Sequence, residues 1–105
     1  MSASTLRIVL AGSVGSSRLT LQALLRHGAN VVGVLELVPV DPTAISGFAR
    51  LNDVAVEANV PCVGFQNISA PEIIAQVREW QPDLLFVVGL SQLVKSDLLS
   101  VPMLA

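Results

Sequence analysis

Gly12-Ser13-Val14-Gly15-Ser16-Ser17 combines backbone freedom with hydroxyl donors, which makes it the first place in this sequence suited to holding a ligand. Two glycines let a chain turn tightly, and the unpaired N–H groups of a helix start attract an anion. On that reading the turn is a phosphate or carboxylate site with Ser13, Ser16 and Ser17 as extra donors. The alternative is a strand-to-helix turn capped by serine, because glycine and serine are ordinary turn residues. The spacing is neither G-x-G-x-x-G nor a phosphate loop, which needs a Lys-Ser or Lys-Thr pair. Glu36 falls near the end of the second apolar run, where a dinucleotide-binding fold places the acid that holds a ribose. A carboxylate leaving a strand for water is the plainer account of it.

The remaining reactive side chains are isolated. His27 is the only histidine and ends the first helical pattern, away from the strand ends where ligands collect, so it reads as structural or exposed. Cys62 is the only cysteine and has no basic neighbour in sequence, which suits a core residue better than a nucleophile. Asp83 and Asp97 lack a second carboxylate at a telling spacing, and Trp80 reads as packing. No cluster has metal-ligand spacing.

These residues must be positioned by elements, and the composition says of what kind. Of the 105 residues, 52% are hydrophobic and 13% charged. That shortage of charge suits a sheet buried on both faces, as parallel sheets are. It does not produce a membrane span, because Glu36 breaks one apolar run and Ser91 and Gln92 break the last. The N-terminal stretch 8–11 is too short for the apolar region of a signal peptide. A lone cysteine excludes an internal disulfide and suits a reducing cytoplasm, where we expect the chain. Net charge is −2 with no basic cluster, so direct nucleic-acid binding by this segment is disfavoured.

Residues 6–12 (LRIVLAG) read as a first strand, followed by a helix whose face is Leu21, Leu24, Leu25 and Gly28. Ser16 or Ser17 would cap its start, and Gly28 would close it in the left-handed conformation. Residues 30–38 form a second buried strand, ended by Pro39-Val40-Asp41-Pro42. A second helix is predicted from Gly47 to about Ala58, with Phe48, Leu51, Ala55 and Ala58 inward. Residues 61–65 (PCVGF) form a short third strand, and Ser69-Ala70-Pro71-Glu72 is a capping box opening a third helix. That helix has Ile73, Ile74, Val77 and Trp80 on its inner face and stops at Gln81-Pro82-Asp83. Residues 84–88 (LLFVV) read as a fourth strand and 95–100 as a last short helix.

The alternation β-α-β-α-β-α-β-α predicts one α/β domain over residues 1–105, a Rossmann-like doubly wound parallel sheet with its first four strands in the order 3-2-1-4. Ligands of such sheets bind where the strand order reverses, here the crevice between strands 1 and 4. Its walls are residues 12–17 and 89–94. We expect the chain to stop before a fifth strand. Strand 4 is then an exposed apolar edge, open to pairing with a second copy of the chain.

Two stretches resemble the folate-dependent formyltransferases, the family that includes the methionyl-tRNA and sugar N-formyltransferases. One is RIVLAGS with LQALLRHGANVVGVL; the other is QPDLLFVVGLSQLVKSDLLSVP, residues 81–102. The resemblance implies a formyl group moved from 10-formyltetrahydrofolate to an amine, on an aminosugar or an aminoacyl-tRNA. It implies that Gly89, Leu90, Ser91, Gln92, Leu93 and Val94 bind the pterin, largely through backbone groups. It implies that Gly12 and Ser13 face the side of the acceptor amine. Family members often have proline where this chain has Val94, and Val14-Gly15-Ser16-Ser17 departs from the usual Pro-Glu-Phe of the tRNA enzymes. The family's catalytic Asn-x-His-Pro motif and later Asp have no counterpart in these 105 residues, so no catalytic residue is assigned and the segment alone is expected to be inactive. Two other readings stay open: an NAD(P)- or mononucleotide-binding module using Gly12, Gly15 and Glu36, and a non-catalytic interaction fragment.

Overall fold

A computed structural model of the chain describes residues 6–38, 49–88 and 103–104. Eight elements follow one another: β1 (Arg7–Gly12), α1 (Gly15–Arg26), β2 (Asn30–Leu37), α2 (Asn52–Glu57), β3 (Cys62–Phe65), α3 (Pro71–Trp80), β4 (Leu84–Val88) and β5 (Met103–Leu104). All neighbouring strands are parallel, in the order β3-β2-β1-β4-β5. The 3-2-1-4 order expected of a Rossmann-like sheet is therefore present. One feature goes beyond it: β5 lies outside β4, pairing Met103 with Leu85 and Leu104 with Phe86. The bare strand 4 edge expected from sequence is thus partly covered, because the last residues of the chain return to the sheet.

Strand residues alternate between two layers of core. Val9 and Ala11 of β1, Leu35 and Leu37 of β2 and Leu85 of β4 pack with Ile73, Ile74, Val77 and Trp80 of α3. Leu10 and Val34 point the other way, onto Leu21 of α1 and Leu51 and Ala55 beside and within α2. Burying each such large side chain is worth roughly 1.5–3 kcal/mol over leaving it exposed. The sheet therefore carries α1 and α2 on one face and α3 on the other, as right-handed crossovers from a central β1 require.

The alternation slips once. Ile8 of β1 pairs with Val31, but Val9 pairs with Gly33, so Val32 is an extra residue in β2. Val31 joins the α1–α2 core, Val32 packs against the α3 core, and Val34 returns to the α1–α2 side. A bulge of this kind is what changes the face of a strand without breaking it. Gly33 lies beneath the indole of Trp80, and a Cβ there would overlap the ring.

The helix boundaries differ from the sequence expectation at two starts. α2 begins at Asn52, not Gly47; Ala49 and Arg50 are not helical, and Gly47 and Phe48 lie outside the described residues. Its start is set by a partner remote in sequence: Glu36 Oε1 accepts the N–H groups of Leu51 at 2.7 Å and Asn52 at 3.3 Å. Leu51 and Ala55 are inward as expected, whereas Ala58 is exposed. α3 begins at Pro71, and its cap residue is Ala70, not Ser69. Ser69 gives its N–H to Asn67 Oδ1 at 3.0 Å, and Pro71 opens the helix with its preset φ. The expected inner face of α3 is buried throughout, and Gly28 has φ +76°. The helix expected at residues 95–100 lies outside the described residues.

At the amino ends of the central strands, Arg7 closes the sheet. Its Nη2 donates to the Trp80 carbonyl at 2.6 Å, and its Nε reaches the Trp80 and Gln81 carbonyls at 3.1 Å. A cation on the last carbonyls of α3 is favoured by their unpaired acceptors. Asp83 completes the join: its Oδ2 accepts the Arg7 N–H at 2.8 Å, and its own N–H donates to the Arg7 carbonyl at 2.7 Å.

Candidate functional site

The opposite, carboxyl ends of β1 and β4 form the crevice where the strand order reverses. The Gly12–Ser17 turn lies there, but its serines are not a row of open donors. Ser17 is wholly buried; its Oγ accepts the N–H groups of Ser13 and Val14, both at 3.2 Å, and donates to the Val88 carbonyl at 2.5 Å. One hydroxyl therefore joins β1, the start of α1 and the last residue of β4. The cap of α1 is Val14, with Ser17 in the first turn, so neither Ser16 nor Ser17 is the capping residue expected from sequence. Ser16 is exposed and Ser13 is buried, its carbonyl accepting the Ala49 N–H at 2.8 Å. The N–H groups of Ser13 and Val14, which an anion would need, are spent on Ser17.

Gly12 is required by this arrangement and not by a positive φ. A Cβ at Gly12 would overlap both Ser17 Oγ and the Val88 carbonyl oxygen. Gly15, by contrast, has open space around it. Only the first of the two glycines is thus fixed by close packing. Gly89, Leu90, Ser91, Gln92, Leu93 and Val94, expected from the family resemblance to bind the pterin, lie outside the described residues.

Glu36 is neither ribose-facing nor a strand end in water. It is 3% exposed, and besides the N–H groups of Leu51 and Asn52 it receives Arg50 Nε at 2.7 Å and Nη2 at 3.3 Å. Burial acts to raise its carboxyl, but the bonds from Arg50 and Leu51, the Arg50 charge and the Asn52 N–H outweigh it and hold the group below the usual carboxylate range. With its oxygens so engaged, Glu36 is a helix-start clamp, and the main argument for a dinucleotide ribose is lost. The sequence carried no signal for this clamp, because nothing in the spacing of Glu36 and Arg50 marks them as partners.

A second ion pair was also missed. Arg18 of α1 grips Asp53 of α2 with two bonds of 2.6 Å and adds one of 2.9 Å to the Arg50 carbonyl. The hydrogen bond from Arg18, with its charge, brings Asp53 down to about 2. Cys62 is half-buried in β3, and burial first, then the Glu36 charge, pushes its thiol up to about 11. A thiol so protonated is a poor nucleophile, in line with the core reading. His27 caps the carboxyl end of α1 and is exposed.

A cleft of about 650 Å³ opens at the end of β3, lined by Val38, Val63, Phe65, Gln66, Asn67, Glu72 and Gln76 among others. It is two strands away from the β1–β4 crevice. We place the candidate site at the crevice on topology, because that is where the sheet's crossovers diverge. No described helix is long and apolar enough to cross a membrane.

The chain is similar in sequence to methionyl-tRNA formyltransferases. It is 30% identical over 103 residues to that of Geobacter metallireducens, a match taking in 92% of this chain and 32% of that protein. Identity to the Chlamydia trachomatis serovar L2b protein is 28% over 100 residues, 93% of this chain and 32% of that one. The chain spans about a third of the length of these relatives. No protein-family model matches it. Among solved structures it resembles glycinamide ribonucleotide transformylase 1 from Symbiobacterium toebii, with TM-score 0.65 and 19% identity over 90% of this chain and 46% of that one. Phosphoribosylglycinamide formyltransferase from Streptococcus pneumoniae gives TM-score 0.63 and 18% identity, covering 91% of this chain and 51% of that one. At such identities the likeness is one of fold.

Proposed function

We propose, on the premise that this chain matches the N-terminal region of the folate-dependent formyltransferases, that it forms the formyl-donor side of a site passing a formyl group from 10-formyltetrahydrofolate to an amine. The observation that carries this reading is the agreement of two separate likenesses. Sequence points to methionyl-tRNA formyltransferases and fold to glycinamide ribonucleotide transformylases, proteins with different acceptors whose names share formyl transfer.

In this reading Gly89, Leu90, Ser91, Gln92, Leu93 and Val94 hold the pterin through backbone groups, since in sequence they follow Val88, the last residue of β4. Gly12 and Ser13 form the facing wall, on the side of the acceptor amine. Both are buried, so their part is to shape that wall and not to donate from side chains. In the transfer, the amine nitrogen attacks the formyl carbon, the carbonyl oxygen becomes an oxyanion, and the folate N10 leaves with a proton. Stabilising that oxyanion and moving that proton need donors and a base. These 105 residues hold no Asn-x-His-Pro motif, and His27 sits at the far end of α1, so none of them is assigned either task. The single unpaired cysteine suits work in the cytoplasm. Two copies of the chain pair, in this reading, through the edge of the sheet next to β4.

Titration of the purified chain with 5-formyltetrahydrofolate, NADP and AMP, followed by calorimetry, tests the reading. Binding of the folate alone is expected, with no transfer to added amines from 10-formyltetrahydrofolate. Binding of NADP without the folate would replace the formyl-donor reading by the nucleotide one. Measurable transfer by the chain alone would show that it holds its own catalytic groups.

A further inference from the structure

The crevice between β1 and β4 is bounded by a contact that the function above does not use. Ser17 Oγ takes two backbone N–H groups from the β1–α1 turn and gives its proton to the carbonyl of Val88, the last residue of β4. All three capacities of this wholly buried hydroxyl are filled by backbone from two different strand ends. Gly12 has no room for a side chain because Ser17 Oγ and the Val88 oxygen already occupy it. Position 12 and position 17 are therefore matched: the glycine admits the hydroxyl, and the hydroxyl links the turn to β4.

The amino ends of the same two strands are joined separately, by Asp83 and Arg7. In-register pairing from Ile8–Leu84 to Gly12–Val88 runs between these two joins. A change at the amino end leaves the carboxyl ends held by their own bond. A change at Ser17 frees the Val88 carbonyl and both turn N–H groups, and Gly89 is the next residue in sequence.

We propose that Ser17 is a positioning residue for the formyl-donor crevice: through Val88 it holds the carboxyl end of β4 at the separation from β1 that the folate requires. This rests on the function proposed above. It assigns Ser17 no contact with the folate or the reacting atoms.

The test compares 5-formyltetrahydrofolate affinity of the full chain with those of Ser17→Ala and Asp83→Ala, all measured well below their unfolding temperatures. Both substitutions remove a bond between β1 and β4, at opposite ends, and both are expected to lower stability. Ser17→Ala should weaken the folate by about tenfold, one ordinary hydrogen bond's worth. Asp83→Ala should stay within about twofold, as expected of a change remote from the ligand. Equal affinity in the wild type and Ser17→Ala overturns the proposal, as does equal loss in both variants, which would mark a general stability effect. If the wild type itself binds no folate, the function reading fails and this inference with it, an outcome distinct from the other two. Should Ser17→Ala not fold, amide exchange in the wild type decides: Ser13 and Val14 N–H groups should become more protected on adding the folate, and unchanged protection overturns the proposal.

Discussion

Glu36 is held by four donors, two from Arg50 and one each from the Leu51 and Asn52 backbones. Glu36→Gln replaces a carboxylate by an amide whose NH2 faces a guanidinium, and we expect it to cost about 1–3 kcal/mol in urea unfolding at neutral pH. The carboxyl is depressed in the folded protein, so the unfolded chain binds more protons over the window between the two values. Its contribution is present above the usual carboxylate range, ~4.3, and is lost as pH falls through the lower folded value. Asp53, at about 2, acts in the same direction. Unfolding midpoints measured from pH 6 down to pH 2 should therefore fall, and fall less in Glu36→Gln. An equal acid slope in both proteins would place the loss elsewhere. Single residues were the least legible part of this chain from sequence. Glu36 stood where a ribose acid would stand, and only the approach of Arg50 and Leu51 from another segment turned it into a clamp. Ser17 looked like a cap or an anion donor because its true acceptor, the Val88 carbonyl, is a backbone atom far along the chain and leaves no mark in composition.

The elements were more legible, since apolar periodicity reports the face an element buries. The inner face of α3, the left-handed Gly28 and the fourth strand all lie where their patterns placed them. The start of α2 was not legible, because its cap comes from Glu36 and not from a neighbouring Ser, Thr, Asp or Asn. The third helix starts one residue later than its Ser69-to-Glu72 signal placed it, with Ala70 as its cap and Pro71 in its first turn. Two helix ends place non-glycine residues in the left-handed region, Asn59 at φ 59° and Gln81 at φ 51°. Asparagine tolerates this conformation and glutamine does so poorly. The Gln81 backbone carbonyl, which Arg7 uses, is kept by any substitution. Gln81→Gly should raise stability by about 1 kcal/mol, seen as a higher Tm in thermal unfolding. Asn59→Gly should gain less. A lower Tm for Gln81→Gly would mean that the Gln81 side chain contributes more than its backbone strain costs.

At the scale of the whole chain, the doubly wound order was readable because four apolar runs alternate with helical patterns, and chirality then leaves few arrangements. The fifth strand was not readable: Met103 and Leu104 are too few to show any period, and only their pairing with Leu85 and Phe86 defines them. The strand order makes β1 the hinge of the architecture. The α1–α2 core and the α3 core meet on its two sides, and separate joins hold it to β4 at either end. The half-buried thiol of Cys62 in β3 becomes a clock for the opening of this sheet. At pH 8 a group raised to about 11 holds roughly 10²-fold less thiolate than a free cysteine. A slow alkylating reagent would then label the chain faster whenever the β2–β3 layer parts, because parting lifts the burial that suppresses the thiolate. If labelling slows in step with global stability across a series of variants, the layer has no private mode of opening. If it outruns global unfolding, the β3 side of the sheet breathes by itself, and the register between Val34 and Cys62 is the first contact the molecule gives up.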